Sequence, residues 1–368
     1  MTKRITILMA ALLVGFTSTA FPSANSETAK HRDSATYQYI ESYQIGDPAE
    51  VLEVKTADSP ALQKGQVRIK VLAAPIHPSI LLQISGNYLS APELPFKPGN
   101  EGVGRVLEVS EGISHLTNGQ LVLLGGLSTW TEELVAPAGR VVPLPDLGNV
   151  TPEAIEQLSM ASVNPIAALL MLSDFADLKE GDWIVQSAAN SAVGSYIIQL
   201  AKQRGIKTVN VVRREGLAEE LKAMGGDVVL IDSPDLANDI AEATEGAPIA
   251  LAIDPVGGDT FSRLAASLDT GGTIVVYGVL SGRFPTLDLA MTIAKDIRVR
   301  GFWLSKWFTT ASSEQIQEAF KQIIPLVLSG GIKANVDSRY TVSEIKEAVT
   351  RANQGGRNGK VLIVSDSH

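Results

Sequence analysis

No cysteine occurs in this 368-residue chain, and it has only four histidines: His31, His77, His115 and His368. The first absence excludes disulfides, thiolate nucleophiles and the four-cysteine structural zinc site. The four imidazoles are far apart and in no ligand spacing, so no metal site is expected. Aromatic residues are sparse at 5% and charged residues modest at 19%, against 45% hydrophobic, which is an ordinary globular composition. Positive charge is in deficit: 31 basic against 40 acidic residues give a formal net charge of −9. That excludes the broad basic surface of a general nucleic-acid or anionic-membrane binder. No apolar run reaches the roughly 20 residues of a comfortable transmembrane helix, and no internal repeat or low-complexity tract stands out.

What is present begins with a targeting pattern. Lys3 and Arg4 precede "ITILMAALLVGF", and Ser18 and Ala20 fit the −3 and −1 positions of a cleavage site. Residues 1–20 read as a secretory signal and 21–36 as a polar lead-in. An exported, periplasmic protein without stable membrane association after cleavage is the expectation, with an uncleaved anchor or a mitochondrial presequence as alternatives. "NVT" at 149–151 matches a glycosylation sequon, a pattern common by chance.

The length suits two domains. From Tyr37 to about Leu144, short runs such as "VRIKVLAAPI", "EGVGRVLEVS" and "GQLVLLGG" read as strands bounded by turn residues. This suggests a partly closed β-barrel. After Pro152 the rhythm turns helical through "PEAIEQLSMASVNPIAALLMLSDFA", then alternates: "WIVQSA", a helix over 192–204, "TVNVV", a helix over 217–224, "VVLID", a helix over 236–243, "ALAIDPV", a helix over 260–268, and "TIVVYG". Continuous apolar strands separated by crossover helices specify a doubly wound parallel sheet. "IRVRGFWLSKW" leaves that sheet, two further helical stretches follow, and "GKVLIV" reads as a closing strand. The predicted organisation is an α/β Rossmann domain (161–303) inserted in a barrel-like catalytic domain (37–160 and 304–368), with the cleft between them.

The turn after the first Rossmann strand is "AANSAVG". A GxGxxG fingerprint would fall on Ala189, Ser191 and Gly194, so two of three glycines are missing and the bare motif is weak. Its place after an apolar strand and before a helix is the stronger signal, because a helix N-terminus accepts a pyrophosphate. A tight turn with no ligand is the bland alternative. About 20 residues on, where an NAD site places an acidic residue, stand Arg213 and Arg214. Guanidinium groups pair with a 2′-phosphate, so NADPH is expected over NADH, unless both are solvated surface arginines.

These residues resemble the medium-chain dehydrogenase/reductase superfamily, and within it the mitochondrial-type 2-enoyl thioester reductases, relatives of the zinc-free quinone reductases. The resemblance runs from about Tyr37 to Val364 and rests on "GNYLSAPELPFKPGNEGVG", "SVNP", "NSAVG", "NVVRRE", "DPVGG" and "RGFWLSKW". Residues 99–101 read Gly-Asn-Glu where a zinc alcohol dehydrogenase would read Gly-His-Glu. The resemblance implies a GroES-like first domain and makes Tyr88 the catalytic residue. For cofactor contacts it implies Asn164, then Asn190, Ser191, Ala192, Val193 and Gly194, and Arg213, Arg214 and Glu215. It adds Tyr277, Gly278, Val279 and Leu280, then Phe302, Trp303, Leu304 and Ser305, and Lys360 through the looser match "RNGK". Ala192 departs from a usual glycine. The export pattern departs further, since the cofactor and thioester substrates are intracellular molecules. A homodimer, formed through the edge of the nucleotide domain, is implied as well.

The chemistry that follows needs no metal. Hydride reaches the β-carbon of an alkene already activated by its thioester carbonyl, and charge develops on the carbonyl oxygen. Tyr88 would donate a hydrogen bond there and serve as the proton source. Its bland alternative is a loop tyrosine covering the cleft. Phe302, Trp303, Trp307 and Phe308 read as an acyl channel or as packing. Lys306 is a candidate for carrier-protein or CoA phosphates. Glu101 reads as a loop anchor, and His77 and His115 receive no role. Two other functions stay open: a quinone or activated-alkene reductase, and an NADPH-binding protein without significant turnover.

Overall fold

The structure is a computed structural model that describes residues 36–365. The signal-peptide reading falls on residues outside these, as does all but the last residue of the lead-in. Among the described residues no single helix is long and apolar enough to cross a membrane.

Among the described residues fifteen strands are arranged in three sheets. A hairpin pairs β1 (Thr36–Glu41) with β2 (Glu53–Asp58), Thr36 facing Asp58. The first large sheet is built on β3 (Gln66–Pro75), whose apolar run is buried on both sides. β4 (Val103–Val109) and β6 (Glu133–Pro137) pair with it, and beyond β4 follow β5 (Leu121–Leu123) and β7 (Val142–Pro143).

The second large sheet contains β8 (Trp183–Gln186), β9 (Lys207–Val212), β10 (Val228–Ile231), β11 (Ile249–Asp254), β12 (Thr273–Val276) and β13 (Arg298–Gly301). All pair in parallel in the order β10-β9-β8-β11-β12-β13. The direction of winding reverses between β8 and β11, and ligands of such sheets bind outside the strand ends at that switch.

β14 (Val336–Tyr340) and β15 (Lys360–Val364) return to the first sheet, β15 lying antiparallel to β3 with Leu362 opposite Pro75. The stretch read as leaving the Rossmann sheet therefore first supplies its sixth strand, Arg298–Gly301. The long helix Ser313–Leu328, opened by a Ser312–Gln315 capping box, buries Phe320, Ile323 and Val327.

The helical stretch after Pro152 is two helices, Pro152–Ser159 and Asn164–Ser173, bent 53° at the break between them. Pro165 opens the second, as proline does where its missing N–H costs nothing. One buried apolar cluster runs from Leu72 and Val103 of the first sheet through Ile166–Leu172 to Ile184, Ile197 and Leu251 of the second. Each such aliphatic side chain contributes about 1.5–3 kcal/mol when fully buried. The second helix thus packs against residues of both sheets in one shared core.

Candidate active site

The C-terminal edge of the parallel sheet is assembled largely by backbone. Ala188, just past β8, has φ +49°, a left-handed conformation that costs a residue with a Cβ about 1–2 kcal/mol. The tight corner therefore sits one residue before the first position of the read fingerprint. Ser191 caps the helix Ala192–Gln203 by accepting from Gly194 N at 3.1 Å. A Cβ on Gly194 would meet Ala189 O at 2.5 Å, so the helix packs on the turn only because no side chain is there.

The neighbouring strand ends are tied to this turn. Ser187 Oγ donates to Asp254 Oδ1, and the buried Asp254 also accepts from Val256 N at 3.0 Å and Gly257 N at 2.9 Å. Tyr277 N donates to Asp254 O at 3.1 Å, and Phe302 N to Val276 O at 2.9 Å. Burial pushes the ionisation of Tyr277 well above the ordinary tyrosine range. Gly278 has room only for hydrogen, since a Cβ would stand 2.9 Å from Pro255 O. Residues 188–194 follow β8, and residues 277–280 and 302–305 follow the neighbouring β12 and β13, with β11 between the two groups; Val279 and Leu280 are exposed. Arg213, Arg214 and Glu215 follow β9 and are exposed.

Tyr88 comes from the other sheet. The helix Pro78–Ile84 ends with Ser85, Gly86 turns the chain at φ +74°, and Asn87 N returns to Leu82 O at 2.8 Å. This presents a half-buried Tyr88 to the second sheet's edge, where Trp303 Nε1 donates to Tyr88 Oη at 3.0 Å. The rings meet edge-on, 6.4 Å apart and inclined at 72°. Because the indole N–H is the donor, the tyrosine proton remains free to be donated elsewhere. Next to Trp303 in the chain, Phe302 packs edge-on against Phe175, and a separate aromatic group is formed by Trp307, Phe308 and Phe320.

Beneath these walls lies a charged cluster that crosses both parts of the first sheet. His77 Nε2 stands 2.5 Å from Glu101 Oε1, and Lys360 Nζ stands 3.0 Å from His77 Nδ1. All three residues are buried. Glu101 also accepts from Ser162 N at 3.0 Å through Oε2, and its carbonyl from Thr129 Oγ1 at 2.6 Å. Ser162 lies two residues before the buried Asn164 that starts the cross-core helix. Asn100 Oδ1, Ser162 Oγ and Tyr196 Oη are buried with no hydrogen-bond partner among the described residues.

Of the expected site residues, the structure thus brings Tyr88 and Trp303 into contact and lines the strand-end group along one edge. It sets Arg213–Glu215 at the end of β9 and buries Lys360 against His77 and Glu101. His77, assigned no role from the sequence, is missed because its partners Glu101 and Lys360 lie far away along the chain. The only local signal was Gly359 before Lys360, whose Cβ would collide with Asn335 O at 2.2 Å. His115 has a weak contact, Nε2 to Ala138 O at 3.4 Å. Among the described residues no three His, Asp or Glu side chains converge as a metal site.

Residues 63–146 match the alcohol dehydrogenase GroES-like domain, and residues 192–328 match the zinc-binding dehydrogenase domain. The mitochondrial enoyl-[acyl-carrier-protein] reductase of Rattus norvegicus is 35% identical over 312 residues, covering 83% of this chain and 82% of the relative. That of Homo sapiens is 33% identical over 338 residues, covering 89% and 88%. Two solved structures superpose with a TM-score of 0.81, each covering 90% of this chain and 100% of the other. One, 30% identical, is designated an NADPH:quinone reductase from Bacillus thuringiensis; the other, 27% identical, is the complex of Etr1p with NADP and crotonyl-CoA.

Proposed function

The chain belongs to the medium-chain dehydrogenase/reductase superfamily, alongside the mitochondrial enoyl-[acyl-carrier-protein] reductases, and from that premise we propose that it is an NADPH-dependent reductase of trans-2-enoyl thioesters. The observation that carries this reading is the Tyr88–Trp303 bond, which fixes the phenol oxygen at the sheet edge and leaves its proton to give.

The residues present fit a dinucleotide. The turn 188–194 opens a 12-residue helix whose first amides face an incoming phosphate, and only glycine at 194 permits that packing. Asn164, Asn190 to Gly194, Tyr277 to Leu280, Phe302 to Ser305 and Lys360 would hold the cofactor. Arg213 and Arg214, exposed past β9, would take its 2′-phosphate, with Glu215 beside them. When bound, the reduced nicotinamide supplies the hydride that adds to the β-carbon of the alkene.

The chain's own residues do the rest. Tyr88 Oη donates to the thioester carbonyl oxygen, where negative charge accumulates, and is the proton source for the α-carbon. Trp303 Nε1 holds that oxygen in place and stabilises it once the proton has left. Phe302, Trp303, Trp307 and Phe308 would line the acyl site.

NADPH oxidation with crotonyl-CoA, a longer enoyl-CoA and a small quinone, wild type beside Tyr88→Phe, tests this. Turnover of the thioesters that collapses in the variant supports the reading. Turnover of the quinone alone, indifferent to Tyr88, moves the assignment to a quinone or activated-alkene reductase, the reading favoured by the likeness to the Bacillus thuringiensis protein.

We further propose a homodimer through β13. It is the outer strand of its sheet, and in the segment leading into it Phe284 is 93% exposed, Ile293 82% and Leu289 68%, apolar side chains that a partner copy could cover. A Phe284→Ser, Ile293→Asp variant should run as a monomer in light scattering; an unchanged mass would remove this interface. Fatty-acid metabolism is the setting that the thioester reading implies. For location, export directed by residues 1–20 and mitochondrial import stand as the two proposals, and the mitochondrial relatives favour the second. Sequencing the N-terminus of the native protein separates them.

A further inference from the structure

His77 lies in the site without a task in the reaction above. Its ring is buried between a carboxylate and an ammonium, with Nε2 at 2.5 Å from Glu101 and Nδ1 at 3.0 Å from Lys360. Lys360 has only protons to give, so Nδ1 accepts, and Nε2 must then carry the hydrogen donated to Glu101. The imidazole is neutral in this arrangement, and burial together with Lys360 lowers its proton affinity. It separates the two charges by the width of a ring while bonded to both. Without it, attraction in a buried setting would draw the ammonium onto the carboxylate.

Where Lys360 is held is also fixed. Its backbone N donates to Asn335 O at 2.8 Å, and Gly359 at φ +124° makes that approach possible. A small cavity has Asn190, Ala192 and Ser195 of the phosphate turn on one side and Asn335, Asn358 and Gly359 on the other. The corner that delivers Lys360 therefore borders the turn.

We propose that His77 is a positioning residue for the cofactor: as a neutral spacer it keeps the Lys360 ammonium apart from Glu101 and directed to an anionic oxygen of the dinucleotide. This rests on the reading of Lys360 as a cofactor contact. One N–H of the ammonium is spent on His77, and an ammonium carries three. The charged and titratable groups facing it are His77 at the head of the Pro78–Ile84 helix, Glu101 before β4 and Arg357 of its own loop. Tyr196 of the Ala192–Gln203 helix faces Glu101 in turn. Burial pushes Lys360 down to about 8, with Glu101 opposing and Arg357 adding to the fall. The free protein thus holds this charge below that pH and loses it above.

The test is the NADPH dissociation constant, measured by fluorescence without substrate, so that it is independent of which alkene is reduced. Lys360→Ala should weaken NADPH about 10- to 100-fold, the worth of a hydrogen bond to a charged group. His77→Leu should do nearly the same, and the double variant no worse than Lys360→Ala. His77→Gln, whose amide offers one acceptor and one donor, should restore affinity close to wild type. Affinity in the wild type should fall above the Lys360 value of about 8, and this break should vanish in Lys360→Ala. A folded His77→Leu that binds NADPH normally, or additive effects of the two substitutions, overturns the proposal. Should His77→Leu not fold, Glu101→Gln carries the test, since losing the carboxylate should move the break to lower pH; an unmoved break overturns it. Normal NADPH binding by Lys360→Ala overturns the reading of Lys360 beneath it, and a wild type that binds no NADPH overturns the proposed function itself.

Discussion

The two walls of the cleft are made on different plans. Along the parallel sheet, one strand end after another presents main chain: a left-handed Ala188, a Gly194 with no room for a side chain, and a Gly278 pressed on Pro255. Across from it, the proposed roles fall to single side chains, Tyr88, His77 and Lys360, each held by a partner far away in the chain. Main-chain groups are the same whatever the residue, so the first wall tolerates substitution wherever the backbone path survives. That is how the turn keeps its form with two glycines of the fingerprint replaced. The second wall has no such tolerance, because each atom that matters belongs to one residue.

The contrast predicts where substitutions will hurt. Tyr88→Phe should lower kcat with crotonyl-CoA by about 10²–10⁴-fold with little change in NADPH affinity; a full-rate variant would place the chemistry elsewhere. Arg213→Asp, on the main-chain wall but acting by its side chain, should raise KM for NADPH by about 10- to 100-fold and leave NADH nearly unaffected. Equal effects on both cofactors would remove the phosphate assignment. Trp303→Phe keeps the ring and deletes the N–H, and should cost about 2- to 10-fold in kcat, the worth of one hydrogen bond; a loss as large as that of Tyr88→Phe would mean that the indole does more than hold the phenol.

The smallest effect on rate is expected at the support beneath Lys360. Asp337 accepts from Arg351 Nη2 at 2.6 Å and from Asn358 N at 3.0 Å, bracing the corner before Gly359. Arg351 holds the Asp337 carboxyl down to about 2. A carboxylate depressed in the folded state stabilises it above the unfolded value, near 4, and that stability is lost as pH falls toward 2. Arg351→Met should therefore lower stability at pH 7 and flatten the acid dependence of the melting temperature between pH 4 and 2. An unchanged acid profile would show that the pair is not what depresses Asp337.

Legibility in the sequence follows the same division. The parallel sheet could be read because each strand is a continuous apolar run and each crossover helix is local, so its order of elements and its turn were visible from residue spacing. Helix ends were displaced by a residue or two where caps decide them: the helix read from 217 starts at Ala218, and the one read from 260 starts at Gly258. The bend between Ser159 and Asn164 was hidden inside an unbroken apolar pattern, since hydrophobicity does not record direction. Tyr88 was legible through a resemblance to known reductases and not through its surroundings. The Trp303 partner, the neutral His77 and the depressed Lys360 were not legible, because nothing in local spacing says that a histidine near the start of the chain will meet a lysine near its end.

That last meeting has a consequence for how the molecule comes into being. β15 is the final described strand, yet it pairs with β3 near the start and carries Lys360 to His77. On the ribosome, the nucleotide domain can fold while the first sheet still lacks the strand beside β3, whose Ala73–Pro75 segment pairs with β15. Nascent chains cut short before residue 360 should accordingly expose an open strand edge and invite chaperones, and His77 meets its ammonium partner only once residue 360 has been made.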